Sequence, residues 1–185
     1  MKLDNADSIL LLQHELTMAR AVMLELSEEL TETAELVGEA MSQSSETWHD
    51  NAPGDAALEE LAKARGRAAV LRHVILNHQV VEYPEMSDPR IQIGSVATLH
   101  IPDWSETIKV LVSGGVRNLY SEASYFGLVD EVVSYSSPLA SAVIHLAEGD
   151  QGLARINDKE VQLEVRHIDQ EIVIAVASRT AENAT

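Results

Sequence analysis

The sequence predicts an α+β fold: an N-terminal antiparallel coiled-coil hairpin over residues 1–83, then a small antiparallel β-sheet domain with one helix over residues 84–185. Three observations predict it. Apolar residues recur at alternating spacings of three and four as far as His78, the period of a helical seam. The segment EYPEMSDP, residues 82–89, carries two prolines and breaks that beat, as a linker would. Beyond it the apolar period becomes two, the mark of strands.

The first helix is predicted from Ser8 to Met41. Its seam is Ile9, Leu12, Leu16, Ala19, Met23, Leu26, Leu30, Val37 and Ala40, with Thr33 interrupting the beat. The second seam runs through Ala57, Leu61, Ala64, Ala68, Leu71 and Ile75, and His78 closes it. Pro53 and Gly54 stand between the two, so an antiparallel hairpin is the simplest geometry. The small side chains of the second seam let the backbones approach closely. At 1.5 Å per residue the helices would run about 50 Å and about 37 Å.

Charge along this hairpin is polarised. Between Arg20 and Lys63 there is no Lys or Arg, against eleven Asp or Glu. A surface hairpin ordinarily intersperses both signs for i,i+4 support. The densest stretch, SETWHDNAPGDAALEE at residues 45–60, puts five carboxylates at the bend. Either water solvates this face or a cation supplied from elsewhere meets it. Asp50 or Asn51 suits the N-cap of the second helix, with Pro53 just inside it, and the two could divide capping and metal binding between them. Trp48 either packs on the hairpin end or, if exposed, serves as a partner anchor. His49 lacks a second His at ligand spacing and is a weak metal candidate.

In the second half IQIGSVATLHI, TIKVLVSG, DEVVSY, GLARI and VQLEVRHI read as strands bounded by Gly, Asn and Asp, and EIVIAVAS, residues 171–178, as a candidate edge strand. One helix signal interrupts them, SPLASAVIHLAEGD: Ser137 is a natural N-cap, Pro138 fits the first helical position, and Gly149 follows the end.

The net charge of -17, from 30 acids against 13 bases, argues against autonomous DNA or RNA binding, because phosphate contacts need clustered Lys and Arg. It also disfavours an anionic membrane surface. No apolar run approaches the roughly 18 residues of a membrane span. The chain has no cysteine, hence neither disulfides nor thiolate metal sites. The start MKLDNADS is unlike a signal peptide. A cytoplasmic monomer with no cofactor in the free protein is expected.

Two of these segments carry a resemblance. DNAPGDAALEE is similar to the acidic tip of the Gre family of bacterial transcript-cleavage and elongation factors (GreA/GreB-like), where a Glu-Asn-Ala run leads into an Ala- and Glu-rich second helix. VSYSSPLASAVIHLAEGD is similar to that family's strand, Ser-Pro-Leu helix start and Gly-Asp turn. Order, spacing and hairpin length agree as well, over about residues 8–169. The resemblance implies an FKBP-like second domain that docks on RNA polymerase at the rim of its secondary channel, through a surface around Ser137, Pro138 and Leu139. It implies that the hairpin enters the channel and that tip carboxylates, here Asp50 and Glu46, help hold a second magnesium ion at the polymerase's own active site. Backtracked RNA is hydrolysed there, so the nascent RNA 3′ end is met only indirectly and the chain itself is no enzyme. Magnesium takes hard oxygen ligands and commonly one or two carboxylates. A second ion stabilises the attacking and leaving oxygens of phosphodiester hydrolysis, and an acidic rod complements a positively charged channel.

The sequence departs from the family at this tip. The family's Asp three residues before the tip Glu is Thr47 here, and the Glu itself is the shorter Asp50, with Glu46 one residue further back. Trp48-His49 replaces Leu-Ser, Pro53-Gly54 follows Asn51-Ala52, and Ala140 stands for the family's Gly after Ser-Pro-Leu. Two readings follow: a factor that stimulates cleavage, and one that occupies the channel and inhibits or modulates transcription. Of the other classes, a prolyl isomerase would need a proline pocket, for which Trp104, Tyr120, Tyr125, Phe126 and Tyr135 are too sparse. A nucleoside diphosphate kinase regulator would resemble the family's short-hairpin relatives, whereas this hairpin is full length.

Overall fold

The computed structural model describes residues 8–43, 52–85, 87–119, 125, 127–172, 175 and 178. The chain divides into two compact units. One is Ala19–Leu76; the other joins the described residues up to Met18 to those from Asn77 onward.

Helix α1 spans Gln13–Gln43 and α2 spans Ala52–Leu76, and together they form a helical hairpin. Within Ala19–Leu76 the predicted seam is what becomes buried. Leu26, Ala64 and Ala68 form its core, with Met23 and Leu30 packed against them. Leu61 and Leu71 are buried too, and Val37, Ala40, Ala57 and Ile75 are half-buried; Val74, one place before the predicted Ile75, is buried in its stead. An ion pair between Arg67 and Glu29 links the two helices.

The first helix starts later than its seam predicts. Ile9–Leu12 form strand β1 and His78–Val81 strand β2, paired in parallel from Ile9 with His78 to Leu12 with Val81. Ile9 and Leu12 fit a heptad, but ILLL is also a continuous apolar run, which a buried strand equally explains. Pairing with the β-branched end of HQVV decides between them. His78 therefore opens a strand instead of closing the second seam.

Among the described residues the main sheet has five strands in the order β5-β4-β3-β7-β6: β3 Val96–Ile101, β4 Glu106–Ser113, β5 Glu131–Ser134, β6 Gln151–Ile156 and β7 Lys159–Asp169. The α+β class stands, but the sheet is mixed. β4 pairs with β5 in parallel, from Val110 with Glu131 to Ser113 with Ser134, while the other pairs are antiparallel. Residues 114–130 separate these two strands, enough chain for the crossover a parallel pair needs.

Both faces of this sheet are covered. Val110, Val112 and Val133 belong to one core with Leu99, Leu163 and Val165. Leu111 and Val132, their chain neighbours, belong to a second core with Leu12, Met18 and Val96. Successive strand residues point to opposite faces, so the run VLV of β4 is buried throughout. A short helix, α3 Pro138–Val143, packs on the first face through Ala140 and Val143.

Helix α3 ends well before Gly149. His145 donates its backbone N–H to the Ile91 carbonyl, and Ile91 donates to that of Leu146, so this stretch pairs with a neighbouring segment instead of continuing the helix. His145 takes φ 70. The predicted edge strand at 171–178 is also not one: its described residues beyond Glu171, namely Ile172, Ala175 and Ser178, are helical. Asp169 Oδ1 accepts from the backbone N–H of Glu171 at 2.9 Å and of Ile172 at 3.2 Å, a side-chain cap that the apolar pattern does not reveal.

Candidate functional site

The Ser-Pro-Leu helix start is built as its residues dictate. Ser137 takes an extended conformation, and its Oγ accepts from the Ala140 N–H at 3.2 Å. Pro138 follows at the first helical position, where a missing N–H costs nothing. Around it Ser141 donates to the Tyr135 carbonyl at 3.3 Å, and Ser134 and Ser136 share a hydrogen bond at 3.0 Å. Ser136, Pro138 and Ser141 are exposed; Ser137 and Leu139 are half-buried, and Leu139 packs against the sheet core. Of the three residues the sequence singles out, Pro138 is thus the one most open to a partner, and Leu139 serves the core as well.

Asp50, Glu46 and Trp48 lie outside the described residues, as do Thr47 and His49. On the described flanks of the bend, Lys63 reaches Glu59 at 2.8 Å and Glu60 at 3.1 Å along α2. The hydrogen bond and charge of Lys63 hold the Glu59 carboxyl below its ordinary range. The acids Glu25, Glu28, Glu32, Glu35 and Glu39 of α1 are all exposed. This face is therefore strongly negative in electrostatic terms, and the first base after Arg20 already serves two acids of its own helix.

Two features near the start of α1 escape sequence reasoning. Glu15 is fully buried and takes the backbone N–H of Leu12 on Oε2 and of Gly114 on Oε1, both at 2.8 Å. The first is half of a capping box, in which a first-turn Glu reaches back to the residue before the helix; with Leu12 and no Ser, Thr, Asp or Asn at that position, the sequence pattern of the box is incomplete. The second joins residues 99 apart and has no sequence signal. Beside it His14 Nδ1 meets the Tyr83 hydroxyl at 2.8 Å, with the rings stacked at 5.8 Å and 9°. Burial pushes the His14 pKa down to about 4 and raises that of Tyr83. The pair ties the predicted linker to the helix start.

No family model and no curated protein matches the chain. The arrangement is that of a helical hairpin with a mixed-sheet α+β unit, and solved structures similar to it include GreA factor homolog 1 (Gfh1) of Thermus thermophilus, at 22% identity and TM-score 0.39 over 88% of this chain and 99% of that one. Gfh1 of Thermus aquaticus is similar at 24% identity and TM-score 0.40, again over 88% and 99%. The prokaryotic transcription elongation factor GreA/GreB from Nitrosomonas europaea is similar at 19% identity and TM-score 0.32, over 60% of this chain and 89% of that one. Scores and identities of this size leave function to be argued from this chain's own residues.

Proposed function

We propose that the chain is a Gre-like RNA polymerase-binding transcription elongation factor, working in the cytoplasm as a monomer through the polymerase's secondary channel. The observation that carries this reading is the pairing, in one chain, of two features: a hairpin with eleven acids and no base between Arg20 and Lys63, and a Ser137-capped, Pro138-led helix start with an exposed rim. The sheet unit would dock, with Ser136, Pro138 and Ser141 as the exposed contact and Ser137 and Leu139 behind them. The hairpin would enter the channel, with Trp48 as a further contact. Asp50, and Glu46 displaced by one position, are the carboxylates offered to a magnesium ion at the polymerase's own active site. The chain would then be no enzyme, and the ion would belong to the complex, since two carboxylates alone do not make the near-octahedral site magnesium demands. Thr47 removes the family's first acid, so occlusion of the channel stands beside cleavage as the outcome.

The test adds purified chain to stalled, backtracked elongation complexes, with binding, transcript cleavage and elongation rate all followed. Wild type should bind polymerase, and Asp50→Ala should lose the effect on chemistry while still binding. Pro138→Glu, which puts a charge at an exposed position, should weaken binding without unfolding. Absence of binding to polymerase would sink the proposal, and strong cleavage by Asp50→Ala would remove the tip from it.

A further inference from the structure

Strand β6 stands at the end of the sheet order and pairs with β7 alone among the described residues. The ladder decides which of its backbone groups are open. Val165 donates its N–H to the Asp150 carbonyl, and bonded residues alternate along an antiparallel pair. Gly152, Ala154 and Ile156 therefore turn their backbone groups toward β7, and Gln151, Leu153 and Arg155 turn theirs outward. Among the described residues these outward groups take no hydrogen-bond partner.

A row of open N–H and C=O groups is a template for another strand, and native edges are ordinarily blunted by Pro, Lys, a bulge or an inward charge. Strand β6, QGLARI, has none of these and keeps an unbroken register with β7. One of its faces is closed: Ala154 belongs to the sheet core, Ile156 packs on it, and a Cβ on Gly152 would run into the Ala142 carbonyl of α3. On the other face Leu153 is 60% exposed between Gln151 and Arg155. The single charge of the strand, Arg155, stands 3.4 Å from Asp158 Oδ1.

We propose that this edge pairs with the same edge of a second copy of the chain, antiparallel about a two-fold axis at Leu153. A two-fold contact presents one patch to itself, and β6 is self-complementary in this register. Gln151 stands opposite Arg155 of the copy and Leu153 opposite Leu153, so three pairs exchange about six hydrogen bonds. Sliding one strand by two residues loses one of the three pairs. Like charges directly opposite destabilise a pair; here Arg155 meets an amide, and Glu164 of the copy lies next in that row because Gln151 pairs with Glu164. The β6–β7 ribbon, residues 151–166, sets Arg155, Lys159 and Arg166 against Asp158, Glu160 and Glu164. It is neutral within a chain of net charge -17, so two ribbons meet without the repulsion carried by the rest of the chain. A strongly charged peptide would gain nothing from such an edge. The contact is small, six residues a side against the about 20–30 of a stable interface. The pair is thus a form of concentrated protein, and the monomer proposed above is the dilute one. The pairing stands whether or not the chain binds polymerase.

The test follows sedimentation of the full chain from micromolar to millimolar concentration, together with amide exchange at Gln151, Leu153 and Arg155. Dimer should accumulate with concentration, and the three amides should exchange freely in dilute protein and slow together in concentrated protein. Leu153→Pro removes an outward N–H and no ladder bond, a change that an edge strand tolerates. It should lose the dimer with melting little changed, while Leu153→Val keeps the dimer. The chain has no cysteine of its own, so a single thiol reports the axis. Leu153→Cys should form a disulfide-linked dimer in a glutathione buffer, since residues paired across the axis have Cα atoms about 5.5 Å apart, within the reach of a disulfide. Gln162→Cys, beside Leu153 on the next strand, should stay monomeric under the same conditions. A chain that remains monomeric at millimolar concentration would overturn the proposal and leave the edge to a different partner. A dimer that survives Leu153→Pro, or that links equally through Gln162→Cys, would place the contact elsewhere and overturn it too. So would edge amides already protected in the dilute monomer, which would show the chain itself covering the edge.

Discussion

Removing the Glu15 carboxylate should destabilise the sheet unit more than any surface change in it. Both oxygens accept backbone N–H groups, Leu12 at the end of β1 and Gly114 just after β4, each at 2.8 Å, and the side chain is fully buried. Water cannot replace a lost partner there. Each unsatisfied buried N–H costs about 1–3 kcal/mol, so Glu15→Ala should cost about 2–6 kcal/mol before its cavity is counted. That is a large part of the 5–15 kcal/mol that ordinarily holds a domain together. Glu15→Gln keeps the volume and one acceptor oxygen, and should cost about half as much. At about 4 °C per kcal/mol for a unit of this size, the Gln variant should melt some 8 °C lower. Gly114→Ala attacks the same junction from the other side. Its Cβ would run into the Glu15 carboxylate and the Leu10 carbonyl and lie 3.0 Å from Leu11 Cα. Part of that obstruction is backbone, so shortening Glu15 should not rescue it. Because the two compact units need not melt together, the assay pairs urea unfolding with hydrogen exchange at the Leu12 and Gly114 amides. Exchange at both should accelerate in the Gln and Ala variants. If both variants stay within about 0.5 kcal/mol of wild type, a difference typical of innocuous surface changes, or if exchange is unaltered, the carboxylate is not the staple described.

Four further outcomes are expected. His14 is held at about 4, below its ordinary 6.5, by burial; the unfolded chain binds more protons between those values. Stability should therefore be complete above pH 6.5 and fall by about 1–3 kcal/mol toward pH 4, and a urea series should show that slope flattened in His14→Gln. Ser137→Ala removes the cap on Ala140 and should cost about 1 kcal/mol, read by urea unfolding of the sheet unit. Gly66→Ala places a methyl where nothing lies within 4 Å on α2 and should stabilise the hairpin by about 0.5–1 kcal/mol, visible as a higher melting point. Gly152→Ala should destabilise, since its Cβ would run into the Ala142 carbonyl and lie 3.3 Å from Leu146 Cδ1; an unchanged melting point would contradict the tight approach of β6 to α3.

Local rules made much of this fold legible. The seam from Ala57 to Ile75 sits within the observed α2, and the Ser137 cap with Pro138 behind it is where the sequence puts it. Both depend on neighbours a few residues away. What escaped depends on partners far along the chain. The stretch Ile9–Leu12 satisfies a helical beat and a buried-strand run alike, and only pairing with His78–Val81 selects the strand. Helix α3 stops at Val143 because Ile91 takes up the following backbone. The Glu15 carboxylate reaches Gly114 across 99 residues, two positions that no motif connects.

The acidic hairpin shows why fold and function separate so cleanly here. Its core is built from Leu, Ala and Met, and every acid described on α1 beyond Ala19 is exposed. Mutual repulsion among those acids is a surface term, weakened within about 8–10 Å by ordinary salt, so the seam can tolerate it. Local charge pairing does not account for it either: Lys63 serves Glu59 and Glu60, and Arg67 serves Glu29. Glu25, Glu28, Glu32, Glu35 and Glu39 take no ion pair among the described residues. The fold neither needs this excess nor is much harmed by it. Its reason therefore lies outside the folded chain, in water or in a partner of opposite charge. Replacing these five by Gln should leave the hairpin as stable or more so, while a reading based on a positively charged channel requires that binding to polymerase weaken and lose its salt dependence.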